Sequence, residues 1–247
     1  PAIYATTKIP GSILENVVLN ADGTPDFDND SLTQNTRGSY PIEFIENRTP
    51  DSMAGNPRNI VFLACDAFGV LPPLSRLNPD QAAYHFMSGY TAKVAGTEIG
   101  VTEPQATFST CFGAPFMPRH PSVYADLLST KIQENDAQCW LINTGWIAGG
   151  ADASSRIKIT WTRTLLNAAL NGDLDNVVFV KDERFGFEVP TTCEGVPDSI
   201  LQPRETWEDK TRFDNVANLL AQMFIENFEQ YASGCSKKVR DSGPKQI

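Results

Sequence analysis

The amino-acid sequence predicts a single mixed α/β domain, and three stretches carry the prediction. Asn59 to Cys65 is continuously apolar, as a central strand buried on both faces is. Asn78-Pro79-Asp80 opens a helix with a capping Asn, a Pro at the first position and an acid in the first turn. Asp209 to Tyr231 places Phe213, Val216, Leu220, Phe224 and Phe228 at helical spacing, an apolar stripe made for core packing. Strand-like and helix-like segments are mixed along the chain without an internal repeat, a low-complexity tract or a domain-splitting linker.

The remaining elements follow in order. Ile13 to Leu19 is β-rich and runs into Ala21-Asp22-Gly23-Thr24, a hairpin signal. Tyr40 to Ile45 alternates apolar and polar residues, as a half-buried strand does. The helix opened at Asn78 is expected to continue towards Lys93, and Pro121 to Asn135 reads as another. Gln138 to Asn143 and Ile157 to Trp161 read as strands. Thr162 to Asn171 reads as a helix stopped by Gly172, which accepts the left-handed backbone of a C-terminal cap. Val177 to Val180 reads as a short strand and Pro190 to Pro203 as a loop. Residues 1–232 are expected to form the domain, with Ser233 to Ile247 a polar, partly exposed tail.

Composition narrows the function. With 20 basic and 30 acidic residues the net charge is −10, which argues against a nucleic-acid binder, since that function needs a basic face. A few well-placed arginines still suffice for a local anion site. Five cysteines are scattered without zinc-site spacing, and the odd number suits free, buried thiols in a reducing compartment. No run approaches the ~20 apolar residues that span a membrane. No targeting signal is visible, and Pro1-Ala2-Ile3-Tyr4 reads like the middle of a protein, so a fragment or processed chain is expected. His85 and His120 have no clustered partners and read as packed or capping histidines; no metal site is expected on this chain. Asp66 is expected to hydrogen-bond the Phe68-Gly69 turn.

Several long motifs go further. They are Cys65-Asp66-Ala67-Phe68-Gly69-Val70-Leu71-Pro72-Pro73, Asn35-Thr36-Arg37-Gly38-Ser39-Tyr40-Pro41, Gly96-Thr97-Glu98-Ile99-Gly100, Thr107-Phe108-Ser109-Thr110-Cys111-Phe112-Gly113, and Asn143-Thr144-Gly145-Trp146 with Gly149-Gly150. Together they resemble the C-terminal half of ATP-dependent phosphoenolpyruvate carboxykinase, and the likeness runs nearly end to end, through Asn171-Gly172, Thr206-Trp207, Phe224-Ile225-Glu226-Asn227-Phe228 and Gly243-Pro244-Lys245. The resemblance implies a carboxykinase-like C-terminal mixed α/β domain. It implies that Arg37 contacts the transferring phosphoryl group, that Arg156, Ile157 and Thr162 seat the nucleotide, and that Gly96 to Phe112 is a lid, including Gly96, Thr97, Glu98, Thr107, Phe108, Ser109 and Phe112. ATP, with Mg²⁺ and Mn²⁺, belongs to the complete family enzyme, the metal ligands lying outside this chain.

Four departures qualify that implication. Ala151 to Ser155 has neither the glycines nor the lysine that the family carries before Arg156, and it adds Asp152. Ile99 stands where the family has Arg, and Gly38 where it has Val. Losing the Arg forgoes a charge-assisted contact worth roughly 1.5–3 kcal/mol. No G-x-x-x-x-G-K-[ST] run occurs in the chain. Phosphoryl transfer depends on positioning and charge neutralisation, so the chain by itself is expected to be inactive. The leading expectation is the C-terminal part of the enzyme, converting oxaloacetate and ATP to phosphoenolpyruvate, CO₂ and ADP with an N-terminal half as partner, in cytoplasm or mitochondrial matrix. The alternatives are a non-catalytic structural subunit of a larger assembly, and a nucleotide-binding module without chemistry.

Overall fold

The computed structural model describes residues 2–33, 35–93 and 103–247. The chain divides into two units, Pro1–Asn56 with Lys93–Glu103, and Pro57–Ala92 with Pro104–Ile247. The first holds a short helix, α1 (Ala2–Thr6), and four short strands: β1 (Ile13–Glu15), β2 (Val18–Leu19), β3 (Pro25–Asp26) and β4 (Arg37–Ser39). β2 and β3 form the hairpin expected around Asp22-Gly23. Its turn is closed by the Asp22 carboxylate, which accepts from the backbone N–H and the hydroxyl of Thr24. The β-rich run does not continue through Asn16, whose φ of 59° breaks it, and β1 pairs instead with β4.

Tyr40 to Ile45 is not a strand. Ile42–Phe44 forms one 3₁₀ turn, with Phe44 and Ile45 donating to the carbonyls of Pro41 and Ile42. Ile42 and Glu43 are exposed, so no buried face exists to hold the alternating pattern in a sheet.

The second unit is built on a five-stranded mixed sheet of β5 (Asn59–Ala64), β6 (Leu74–Leu77), β9 (Gln138–Asn143), β10 (Phe179–Lys181) and β11 (Glu188–Pro190). Between β6 and β9 the chain forms α2 (Pro79–Ser88), β7 (Tyr90–Lys93), β8 (Gln105–Phe108) and α3 (Pro121–Glu134). After β9 come α4 (Ile159–Asn171), α5 (Asp198–Leu201), α6 (Pro203–Thr206), α7 (Lys210–Ala232) and α8 (Lys237–Arg240). The strand order is β10-β11-β6-β9-β5; β5 is parallel to β9 and the other pairs are antiparallel. The Asn59 to Cys65 strand therefore forms, but at the edge of the sheet and not in its centre. β6, which occupies the centre, escapes sequence reading because it has four residues between Pro72-Pro73 and the cap Asn78.

Each face of the sheet builds a core. Phe62, Ala64, Cys139 and Leu141 face one side with α2, α3 and α7; Leu74, Trp140 and Ile142 face the other with α4 and α5. The α7 stripe behaves as its spacing predicts: Phe213, Leu220, Phe224 and Phe228 are buried. Phe224 is ringed by Tyr84, His85, Tyr90, Phe108 and Phe185 at centroid distances of 5.0–6.5 Å.

Two helices have other limits than expected. α2 has the full capping box of Asn78 and Gln81 but ends at Ser88, because Gly89 adopts the left-handed cap and Tyr90 starts β7. α4 starts at Ile159, so the strand expected over Ile157 to Trp161 is only an isolated bridge between Arg156 and Trp146. Burial of Leu165, Ala168 and Ala169 along one helical face decides the conformation over the β-preference of Ile159 and Thr160. The segment read as loop, Pro190 to Pro203, contains α5. In the tail, Val239 and Pro244 are buried, and Lys245 N–H donates to Arg184 O.

All five cysteines are free thiols, four of them buried. His120 caps α3, its Nδ1 accepting from Ser122 N–H. His85 lies buried among Tyr84, Phe187 and Phe224, and burial pushes its pKa down to about 3. It is neutral in the folded chain, whereas in the unfolded chain it takes up a proton as pH falls below about 6.5. Its contribution is thus complete above pH 6.5 and is lost as pH falls towards 3, by about 3 kcal/mol at pH 4. Urea unfolding at pH 7 and pH 4 is expected to show a smaller acid loss in His85→Phe than in the wild-type chain; equal losses contradict this.

Candidate active site

The second unit places the chemistry-bearing residues around one buried carboxylate. Asp66 follows β5 and is fully buried. Its Oδ1 accepts from Phe68 N–H (2.9 Å) and the Tyr90 hydroxyl (2.8 Å). Its Oδ2 accepts from Val70 N–H (2.7 Å) and Leu71 N–H (2.8 Å). Burial raises the Asp66 carboxyl above the ordinary carboxylate value, with the four donors pulling it back. Burial also holds Tyr90 well above its normal range, reinforced by the neighbouring Asp66 charge.

The Asp66 backbone is held just as closely. Its N–H donates to Asn143 Oδ1 (3.0 Å), and its carbonyl accepts from Trp146 N–H (2.9 Å). Asn143 Oδ1 also takes Gly145 N–H, and its Nδ2 donates to Leu71 O. The turn after β5 and the loop after β9 are thereby locked face to face. Two glycines make that approach possible. A methyl on Gly145 would strike the Asp66 backbone; one on Gly69, which has φ 75°, would strike the Gly149 carbonyl.

Arg156 closes this loop. Its Nε and Nη2 both donate to Thr144 O (3.1 and 2.9 Å), and Nη2 lies 3.7 Å from Cys65 Sγ. The guanidinium sits 5.3 Å from the Trp146 ring centre, while the residue stays exposed. Burial pushes the Cys65 thiol up, opposed by the Arg156 charge. Ile157 is buried in the core of the α4 face and donates its N–H to Gly145 O. Thr162 lies in the first turn of α4, its N–H donating to Lys158 O. The structure thus brings Arg156 and Ile157 onto one loop with Gly145, and Thr162 follows on the helix that this loop starts.

The cation-free stretch before Arg156 closes on itself. Ser154 Oγ lies 2.8 and 3.0 Å from the carbonyls of Gly149 and Gly150, Ala151 N–H donates to Ala67 O, and Asp152 is exposed. Asp152 adds no buried negative charge.

The other expected site residues are placed separately. Arg37 is in the first unit, exposed on β4 opposite Glu15. A side chain at Gly38 would meet Thr7 and Leu14 at 3.3 and 3.4 Å, so the smallest residue fits that position. Gly96, Thr97, Glu98 and Ile99 lie outside the described residues. Thr107 and Phe108 are on β8, and Phe108 packs on Tyr90 and Phe224. Ser109 N–H donates to Gly89 O, and Phe112 stacks on Phe62 at 5.9 Å. Among the described residues no group of three His, Cys, Asp or Glu side chains is placed to hold a metal ion, and no helix is long and apolar enough to cross a membrane. Sequence reading gave no role to Tyr90 or to Asn143; an Asn ending an apolar strand immediately before Thr-Gly is the one signal that pointed to the latter.

The profile of the phosphoenolpyruvate carboxykinase family matches residues 1–199. The chain belongs to that family. A relative in Brucella suis, named phosphoenolpyruvate carboxykinase (ATP), is 55% identical over 244 residues, which cover 99% of this chain and 46% of the relative. Relatives of the same name in Novosphingobium aromaticivorans and Geobacter metallireducens are 54% and 55% identical, again with 46% of their length covered. The chain therefore spans about half the length of the carboxykinases it matches, and none of these matches supports a non-catalytic subunit.

The Asp66 cluster gives a ranked expectation. Tyr90→Phe keeps the ring and removes one donor, and is expected to cost roughly 1–2 kcal/mol. Asp66→Ala strands three backbone N–H groups as well and is expected to cost at least twice as much. Urea unfolding midpoints check the order, and an Asp66→Ala chain as stable as Tyr90→Phe contradicts the cluster's role.

Proposed function

We propose that the chain is the C-terminal part of an ATP-dependent phosphoenolpyruvate carboxykinase, which converts oxaloacetate and ATP to phosphoenolpyruvate, CO₂ and ADP in gluconeogenesis. The observation that carries this reading is the end-to-end match at 54–55% identity to relatives bearing that name. The loop from Asn143 to Thr162 supports it, because it is hydrogen-bonded to the Asp66 turn, glycine-lined and exposed at Arg156.

In this reading Arg156, Ile157 and Thr162 seat the nucleotide. Arg156 is pre-oriented by the Thr144 carbonyl and the Trp146 ring, so little side-chain freedom is lost when it engages a ligand. Ile157 supplies an apolar backstop fixed in the core, and Arg37 offers its guanidinium to the transferring phosphoryl group. The stretch from Gly96 to Phe112 serves as the lid, anchored at its far end by Phe108 and Phe112. Mg²⁺ and Mn²⁺ neutralise phosphate charge in the family reaction, and among the described residues no group of three His, Cys, Asp or Glu side chains is placed to hold either ion. The metals and the phosphate loop belong to the rest of the enzyme, the partner without which this chain is inactive. The five free thiols suit cytoplasm or mitochondrial matrix.

The test joins this chain to the part of the Brucella suis relative that it does not match. The joined protein is expected to form ADP from ATP with oxaloacetate and Mn²⁺, and the 247-residue chain to form none. Arg156→Ala in the joined protein is expected to raise the KM for ATP at least ~10-fold, the value of a charge-assisted contact. A joined, folded protein without ADP formation contradicts the reaction, and an unchanged KM contradicts the role of Arg156.

A further inference from the structure

β5 has the composition of an interior strand and the position of an edge strand. It pairs in parallel with β9 over six residues, from Asn59 opposite Gln138 to Ala64 opposite Asn143. Among the described residues no strand pairs with its other side. Gln138 N–H donates to Arg58 O and Thr144 N–H to Ala64 O, so the even-numbered residues turn their main-chain groups towards β9. In a parallel ladder the intervening residues point theirs the opposite way, which leaves Asn59, Val61 and Leu63 facing outward.

Proteins blunt such edges with charge, proline or a bulge, because a row of unpaired N–H and C=O groups recruits another strand. β5 has none of these: it reads Asn-Ile-Val-Phe-Leu-Ala. Its borders are apolar as well. Leu63 is 60% exposed on one face of the sheet; on the other, Phe112, stacked on Phe62, is 37% exposed. Parallel strands of this composition belong to sheets covered on both faces.

We infer that β5 is an interior strand of the complete sheet, and that its outer edge is paired by an apolar strand from the part of the protein beyond these 247 residues. The inference rests on the proposed function, which supplies that part. The relatives are about twice the length of this chain, so ample sequence exists to provide the strand. A second copy of this chain is a poorer occupant, since each copy carries a net charge of −10 and like charges oppose pairing.

Hydrogen exchange at the Val61 and Leu63 amides tests the inference, measured in the 247-residue chain and in the protein joined to the unmatched part of the Brucella suis relative. Exchange is expected to be fast in the chain and roughly 100-fold or more slower in the joined protein. Equal exchange in the two overturns the inference, as does protection in the chain that rises with its concentration, which would identify a second copy as the occupant. The Brucella suis enzyme itself keeps the test decisive if the joined protein does not fold: its amides aligned with Val61 and Leu63 must be protected, and fast exchange there overturns the inference equally. Leu63→Lys, at an exposed position, is expected to leave the unfolding midpoint of the chain unchanged and to lower that of the joined protein; lowering neither overturns it. Exchange reads strand pairing whether or not ADP is formed. A joined protein that makes ADP with fast-exchanging amides sinks this inference alone, and one that is protected but inactive sinks only the proposed reaction.

Discussion

The second unit depends on burying one carboxylate. Asp66 has no access to water, and four donors replace the water it gave up. A buried carboxylate without such partners costs several kcal/mol. The geometry that satisfies it is therefore narrow: the chain must turn sharply at Phe68-Gly69, strand β7 must bring Tyr90 alongside, and Asn143 must reach back from β9. Each of these requirements fixes a piece of the loop from Asn143 to Arg156. The Asp66 carboxylate shapes the turn, the turn receives Gly145 and Gly149, and the loop they begin presents Arg156.

This dependence explains how the loop before Arg156 keeps its shape without a lysine. Ala151 to Ser155 spends its polar groups internally, Ser154 on the carbonyls of Gly149 and Gly150, and Asp152 turns to solvent. Loop shape comes from the Asp66 side and from Ile157 in the core, not from ligand charge.

Much of this was legible in the residues. Asp66 two positions before a Phe-Gly turn, Asn78-Pro79-Asp80 before a helix and the α7 phenylalanines are local signals, and local hydrogen bonds and packing honour them. The failures have a common cause. Tyr40 to Ile45 alternates like a strand but has no face to bury. Ile157 to Trp161 is β-branched and aromatic but is claimed by a helical apolar face. The edge position of β5 is invisible in its composition, because composition reports the sheet the strand is suited to and not which neighbours are present. Tyr90 was missed for a different reason: its partner lies 24 residues away, and nothing in a Gly-Tyr-Thr sequence announces a hydroxyl aimed at a buried acid.

The buried Asp66 carboxyl organises the loop around it. A carbon-13 titration of that carboxyl by NMR, following the amide protons of Phe68, Val70 and Leu71 in the same samples, tests it most directly. A midpoint above the ordinary aspartate value of 3.8 is expected, with the three amides shifting in step with the carboxyl. A midpoint at or below that value, with amides indifferent to the titration, would contradict it.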